Sequence, residues 1–313
     1  MSSLTVQYNG STIQTVEEDK TIALKCAGKL MADDVTLVAD GLSSLDVTYN
    51  GASILSETDA TGTWKLKTSG KVMIEDVRVE VKAVAAYLTF SSPNDFTLGV
   101  SDNTKHWDGT LEYSTNAKDW TVWPGTSAIS SSGGKLYIRG TGNTVITGPS
   151  ASGTVASWKL TGSNIRCDGN IETLLDHGTV ADGSHPTMAA SCYRSMFNGC
   201  TSLTTAPSLP ATTLADHCYY YMFYGCTSLT TAPNLPATTL ATSCYYNMFN
   251  GCTKIKVSTT SGSGYSYDYR IPKSGTGTTA SNALRGMFTN TGGTFTGTPT
   301  INTTYYMTTQ PVG

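Results

Sequence analysis

A nine-residue segment that returns every 26 residues constrains this chain more than any other feature. Its first copy is Cys192-Tyr193-Arg194-Ser195-Met196-Phe197-Asn198-Gly199-Cys200. The second is Cys218-Tyr219-Tyr220-Tyr221-Met222-Phe223-Tyr224-Gly225-Cys226, and the third Cys244-Tyr245-Tyr246-Asn247-Met248-Phe249-Asn250-Gly251-Cys252. Thr- and Pro-rich connectors, Thr201 to Leu214 and Thr227 to Leu240, separate them. A fixed period of this length implies stacked units that share one continuous core.

The copies can be read against one another. With the first cysteine as position 0, positions 0, 1, 4, 5 and 8 are Cys, Tyr, Met, Phe and Cys in every copy, while positions 2, 3 and 6 vary. That spacing marks one face of a helix, so a short helix is expected in each copy. Its core would be Cys192, Met196, Phe197 and Cys200, with Cys218, Met222, Phe223, Cys226, Cys244, Met248, Phe249 and Cys252 as their counterparts. Gly199, Gly225 and Gly251 stand where such a helix would end in a left-handed residue. Leu203, Leu229 and Ile255 follow in a short extended run that Pro207, Pro210, Pro233 and Pro236 confine.

A strand, a Pro-bounded turn and a short helix closed by Gly-Cys make a leucine-rich-repeat-like unit. The pattern Met-Phe-x-Gly-Cys-Thr-Ser-Leu-Thr-Thr-Ala-Pro-x-Leu-Pro-Ala-Thr-Thr-Leu resembles the bacterial-surface (BspA-like) leucine-rich repeats. The resemblance covers roughly Leu174 to Ile255 and implies a display scaffold. Ala283-Leu284-Arg285-Gly286-Met287-Phe288-Thr289-Asn290 reads as a degenerate last copy, a cap for the stack. The Ser258 to Gly275 stretch before it is expected to be a loop.

The other end holds a different repeat. Leu4-Thr5-Val6-Gln7-Tyr8-Asn9-Gly10 matches Leu45-Asp46-Val47-Thr48-Tyr49-Asn50-Gly51, and Gly28-Lys29-Leu30-Met31 matches Gly70-Lys71-Val72-Met73. Alternating residues broken at Asn-Gly predict β-hairpins. These modules resemble short repeats of tail and other virion proteins of phages. Between the two repeats, Ala86 to Phe90, Thr110 to Ser114, Trp120 to Trp123 and Lys135 to Arg139 read as strands of a sandwich. Such a segment often precedes the repeats in the family above.

The expected architecture is therefore mainly β and multidomain: small β modules at 1–42 and 43–83, and a β-sandwich-like domain at 84–166. A leucine-rich-repeat-like α/β solenoid follows at 167–256, with an insertion and capping repeat at 257–313.

Function is argued from the exposed positions. Only 14% of the 313 residues are charged and the net charge is −3, so neither nucleic acid nor an acidic membrane surface is indicated as partner. No apolar run is long enough to span a membrane. From Pro186 to Thr253 the formal charges are Arg194 and Asp216. Tyr220, Tyr221, Tyr224 and Tyr246 fall at variable positions with Arg194 and Asn247, and these six are the candidate binding residues. Tyrosine suits binding surfaces because it offers apolar area and a hydroxyl at low entropy cost, and a face of this kind suits a neutral polar partner such as a glycan. Lateral packing of the tyrosines is the competing account. Trp107, Trp120, Trp123 and Trp158 are read as core.

The cysteines read chiefly as buried thiols, with bridges between stacked copies and metal as lesser alternatives. Asp95, Asp102, Asp108 and Glu112 are candidate calcium ligands, with solvated loop acids as the stronger account. Asp176-His177 and Asp216-His217-Cys218 lack the remainder of a catalytic constellation. The chain is thus expected to be non-enzymatic and without a cofactor. A virion structural protein is expected, either a tail fibre or a fibre-like decoration. It would join other virion proteins through residues 1–83 and touch a host-surface glycan or protein through the repeats. It would be a homo-oligomer, as a fibre a trimer. The start at Met1 has no export signal, which favours a particle released by lysis. The alternatives are a bacterial cell-surface adhesin and a capsid or tail decoration protein with no receptor role.

Overall fold

The computed structural model describes residues 3–8, 11–16, 20–23, 35–49, 52–66, 77–83, 87–148 and 155–312. The chain is mainly β, in several sheets, and divides into two compact units, Met1–Ala85 and Ala86–Gly313. Among the described residues no helix is long and apolar enough to cross a membrane.

In the first unit one sheet is built from β1 (Ser3–Tyr8), β2 (Ser11–Val16), β3 (Lys20–Ala23), β4 (Val35–Tyr49), β5 (Ala52–Lys65) and β6 (Val77–Ala83). The order is β2-β1-β4-β6-β3, with β5 paired to β4. The alternation of the sequence sets the faces: Leu4, Val6, Val35, Leu37, Leu45, Val47 and Val79 are buried. The two sequence copies are not two modules, however, because the expected boundary at 42/43 falls inside β4. The copies also exchange a strand. β3 of the first copy lies on β6 of the second, with Ile22 opposite Val79. The equivalent end of β5 in the second copy lies on β4 of the first, with Trp64 opposite Leu37. The exchange pairs strand edges that a lone module would leave open. Strands flanking the two Asn-Gly sites pair antiparallel, Tyr8 with Ser11 and Tyr49 with Ala52. The Asn-Gly residues themselves, Cys26 and residues 28–31 and 70–73 lie outside the described residues.

The second unit opens with β7 (Leu88–Ser91), β8 (Thr97–Val100), β9 (Thr110–Ser114), β10 (Thr121–Val122), β11 (Ile129–Ser130), β12 (Lys135–Thr141), β13 (Trp158–Thr161) and β14 (Ile165–Asp168). A helix, α1 (Thr173–Ala181), and β15 (Leu203–Thr205) follow. One sheet runs β10-β9-β12-β7-β14-β15 and another β11-β8-β13. Aromatic rings fill the space between them: Trp158 of β13 lies 6.2 Å from Phe90 of β7 and 5.5 Å from Trp123. Trp107, Trp123 and Trp158 are buried as expected. Trp120 is not core; it is half-buried, with the Arg139 guanidinium 4.1 Å above its ring. The expected boundary at 166/167 falls inside β14. That strand pairs antiparallel with β7 and parallel with β15 of the first repeat, so one sheet continues into the repeats.

The repeats contain no helix. Each nine-residue copy is a ribbon of overlapping four-residue turns, each starting two residues after the last. In the first copy the amides of Arg194, Met196, Asn198 and Cys200 donate to the carbonyls three residues back. The intervening amides point along the stack. Those of Ser191, Tyr193, Ser195, Phe197 and Gly199 donate to Asp216, Cys218, Tyr220, Met222 and Tyr224 of the second copy, each at 2.8 Å. The second copy bonds the third in the same way. Such a ribbon needs a left-handed residue every fourth position. φ is positive at Ser191, Ser195 and Gly199, at His217, Tyr221 and Gly225, and at Ser243, Asn247 and Gly251. Alternate amides therefore find partners in the turn and in the neighbouring coil, which is how a buried ribbon satisfies its donors.

The inward residues stack on themselves. Tyr193, Tyr219 and Tyr245 form one column with centroids 5.5 and 5.7 Å apart. Phe197, Phe223, Phe249 and Phe288 form another at 5.5, 5.6 and 5.7 Å, all within 9° of parallel. All twelve Cys, Met and Phe positions expected inside are buried.

The seven described cysteines are free and buried. Cys226 Sγ donates to the Phe197 carbonyl and Cys252 Sγ to that of Phe223, each at 3.0 Å, so the thiols tie each coil to the one before. Burial pushes the Cys200, Cys244 and Cys252 thiols up to about 12, leaving almost no thiolate near neutrality. A thiol-specific disulfide reagent at pH 8 should therefore modify none of these seven until the chain is unfolded. Fast modification of two or more of the eight cysteines in the native protein would place sulfurs in solvent.

The last copy caps the stack. Ser243, Tyr245, Asn247, Phe249 and Gly251 donate to Ser281, Ala283, Arg285, Met287 and Thr289 at 2.9 to 3.0 Å. Asn282, Gly286 and Asn290 repeat the left-handed positions. The insertion before it is not all loop: β16 (Val257–Ser258) and β17 (Tyr267–Arg270) flank β18 (Thr304–Met307) in a third sheet. At the opposite end, Ile146 and Trp158 donate to the carbonyls of Cys192 and Met196, closing the first coil.

Candidate binding face

Positions 2, 3 and 6 of each turn ribbon lie on the flank away from the Met-Phe core. Because the coils stack in register, each position becomes a column. The column at position 2 is Arg194, Tyr220, Tyr246 and Arg285. Tyr220 and Tyr246 stack face to face, 4.8 Å apart and 10° from parallel. The Arg194 guanidinium sits 4.9 Å from the Tyr220 centroid, and that of Arg285 5.8 Å from the Tyr246 centroid. The stack is thus closed by a cation at each end, a favourable arrangement against a ring quadrupole.

Tyr221 stands beside this column. Its ring meets Tyr220 at 4.5 Å, Tyr224 at 5.1 Å and Tyr246 at 5.8 Å, the first two edge to face. Tyr224 is 38% exposed and ends the cluster. Burial, then the adjacent Tyr221 phenol, raises the Tyr220 phenol above its usual value, while Arg194 pulls it the other way. Tyr221 has φ +55, a backbone region in which a bulky residue is an outlier. The same position holds Ser195, Asn247 and Gly286 in the other copies, residue types better suited to it. Asn247 is half-buried there, its Oδ1 accepting from Asn250 Nδ2 at 3.2 Å.

The structure brings five of the six candidate residues, Arg194, Tyr220, Tyr221, Tyr224 and Tyr246, into one cluster and seats Asn247 in the column next to it. Two members were missed. Arg285 belongs to the degenerate copy, and counting position 2 through that copy would have found it. His217 packs 5.5 Å from Tyr220. The tyrosines also pack on one another, so packing and exposure coexist here.

The other candidates have structural duties. Asp95 accepts from Ser131 and Gly134, Asp102 from Thr104 and His106, and Glu112 from Arg139. Asp108 accepts from the Thr144 and Val145 amides and the Thr144 hydroxyl. Burial alone would raise the Asp108 carboxyl, but these bonds outweigh it and hold it below its usual 3.8. Among the described residues no group of three His, Cys, Asp or Glu could hold a metal ion. Asp176 accepts from the Thr179 and Gly142 amides, and His177 bonds the Gly140 carbonyl. Asp216 accepts from the Thr242 amide at 2.9 Å. Elsewhere, a cleft of about 310 Å³ is lined by Leu209, Pro210 and Pro236 with His185, and His185 Nδ1 lies 2.7 Å from the buried Glu172 carboxylate.

These observations define the class: a mainly β protein whose stacked repeats carry an aromatic flank closed by arginines. Compared with known proteins, the chain matches no family model, no curated protein and no solved structure.

Proposed function

We propose that the chain is a non-enzymatic attachment protein of a phage particle, a tail fibre or fibre-like decoration. In this reading residues 1–83 join other virion proteins, and the repeats form a solenoid that meets a host-surface glycan or protein. The solenoid is of the leucine-rich-repeat kind in its period and inward columns, with turns in place of the helix. The observation that carries the attachment role is the tyrosine cluster with Tyr221 in a left-handed conformation. A bulky residue persists at such a position when surrounding packing or function holds it. The virion setting, and with it a trimeric assembly, rests on the resemblance of the N-terminal repeats. A bacterial surface adhesin is the second reading, favoured by the resemblance of the 26-residue repeat.

The test removes the rings while keeping the backbone. Tyr221→Asn installs the residue that the third copy already carries at this place, and Tyr220→Ser and Tyr246→Ser shorten the stack. Adsorption of the triple variant to host cells should fall at least about tenfold, as expected when aromatic anchors are lost. Its thermal unfolding is followed in parallel. A folded variant that adsorbs like the parent would leave only a decoration role.

A further inference from the structure

We propose that the partner of this face is an acidic polysaccharide, held by Arg194 and Arg285 at the two ends of the tyrosine stack. This rests on the attachment reading above and narrows its ligand. The sequence pointed to a neutral partner because a single cation was visible on the flank. Stacking brings a second one to it from the capping copy.

The geometry decides what the tyrosines can offer. Within the column each ring of the Tyr220–Tyr246 pair has one face on the other and its second face under a guanidinium. Tyr221 is wedged edge to face against its neighbours. A sugar ring or a nucleic-acid base therefore has no open face on that pair to stack on, and single-stranded nucleic acid depends on such stacking. What the pair keeps is its edges and its phenolic hydroxyls, which donate and accept hydrogen bonds. Hydroxyl-rich ligands match that array.

The arginines add the charge. A guanidinium laid on a ring spends its flat face there and keeps its in-plane N–H donors for a carboxylate. Among the described residues neither Arg194 nor Arg285 forms an ion pair with a carboxylate. Asp216, the formal acid on the stretch from Pro186 to Thr253, accepts from the Thr242 amide. The two arginines stand three coils apart, about 14 Å at the usual spacing of hydrogen-bonded strands. One small anion cannot bridge that span. An extended polymer with repeated carboxylates and hydroxyls between them can, and a uronic acid polysaccharide has that chemistry.

The experiment measures binding of the full-length protein to polygalacturonate, dextran and poly-glutamate, each at low and high salt. The parent should bind polygalacturonate, weaken with salt, and ignore dextran. Arg194→Gln or Arg285→Gln should each lose on the order of tenfold in affinity, as for a charge-assisted hydrogen bond. Replacing both by Lys should restore only part of the binding, because the charge returns without the planar fork of donors. Equal binding to dextran, indifference to salt, or an unaffected double Gln variant would overturn the proposal. Poly-glutamate bound as tightly as polygalacturonate would also overturn it, in favour of an acidic protein. If the tyrosine variant loses host adsorption while the double Gln variant does not, the attachment reading stands and the acidic ligand falls. If neither loses adsorption, both fall.

Discussion

Phe223→Ala should lower the unfolding free energy of the repeat-bearing unit by about 3–5 kcal/mol, the range for truncating a large buried aromatic. Phe223 is fully buried, and its ring lies between Phe197 and Phe249 at 5.5 and 5.6 Å. Truncation removes both stacked contacts and leaves a void that the coils cannot close. Their separation is held by five amide bonds across each interface, through Phe197, Phe223 and their neighbours. The carbonyl of Phe223 also accepts the Cys252 thiol, so any backbone shift is felt in the next coil. Phe223→Leu should cost less than half as much, because it keeps most of the volume. Denaturant titration of the full-length chain, followed by tryptophan fluorescence, reads both. A loss below about 1 kcal/mol for the alanine variant would contradict the column.

The second large effect belongs to the turn ribbon. Gly251→Val should destabilise by about 2–3 kcal/mol, the cost of forcing a β-branched residue into a left-handed conformation. Gly251 has φ +81, and a Cβ added there would sit 3.4 Å from the Gly225 Cα, an ordinary contact. The Cβ itself therefore meets only ordinary contact, and the left-handed backbone is the main source of the penalty. Gly251→Asn supplies the control. Asn290 holds the equivalent place in the capping copy at φ +57, and Asn tolerates that region, so this variant should lose no more than about 1 kcal/mol. Equal losses for Val and Asn would refute a left-handed position there. The same titration serves for both variants.

Much of the repeat was legible from its copies. Cys192, Tyr193, Met196, Phe197 and Cys200 and their counterparts were marked as inward by their identity across copies, and all are buried. The capping copy was legible in the same way, since Ala283 and Thr291 take the places of cysteines and are buried there. The binding residues were legible only in part. Tyr220 and Tyr246 were outward by position, but their pairing with Arg194 and Arg285 depends on register between coils.

The repeats form turns where the spacing predicts a helix, for a definite reason. Spacing 0, 1, 4, 5, 8 matches a helical face of period 3.6 and a turn ribbon of period four equally well over nine residues. A left-handed residue at every fourth position rules out a helix, and Ser195, Tyr221 and Asn247 do not announce one as Gly199 does.

The sequence by itself determined the period of the repeat, which side chains face its interior, and where the stack ends. These follow from chemistry that each copy carries alone: apolar bulk at fixed places, and variation where water is. Tertiary structure decided the rest. Alternate amides have no partner within their own coil, so the ribbon exists only when a second coil supplies the carbonyls. For the same reason, β14 carries one sheet across an expected domain boundary and the N-terminal copies trade a strand. Hydrogen bonds between distant segments leave no mark on the residues nearest them in the chain, because a backbone amide is the same group whatever side chain it bears.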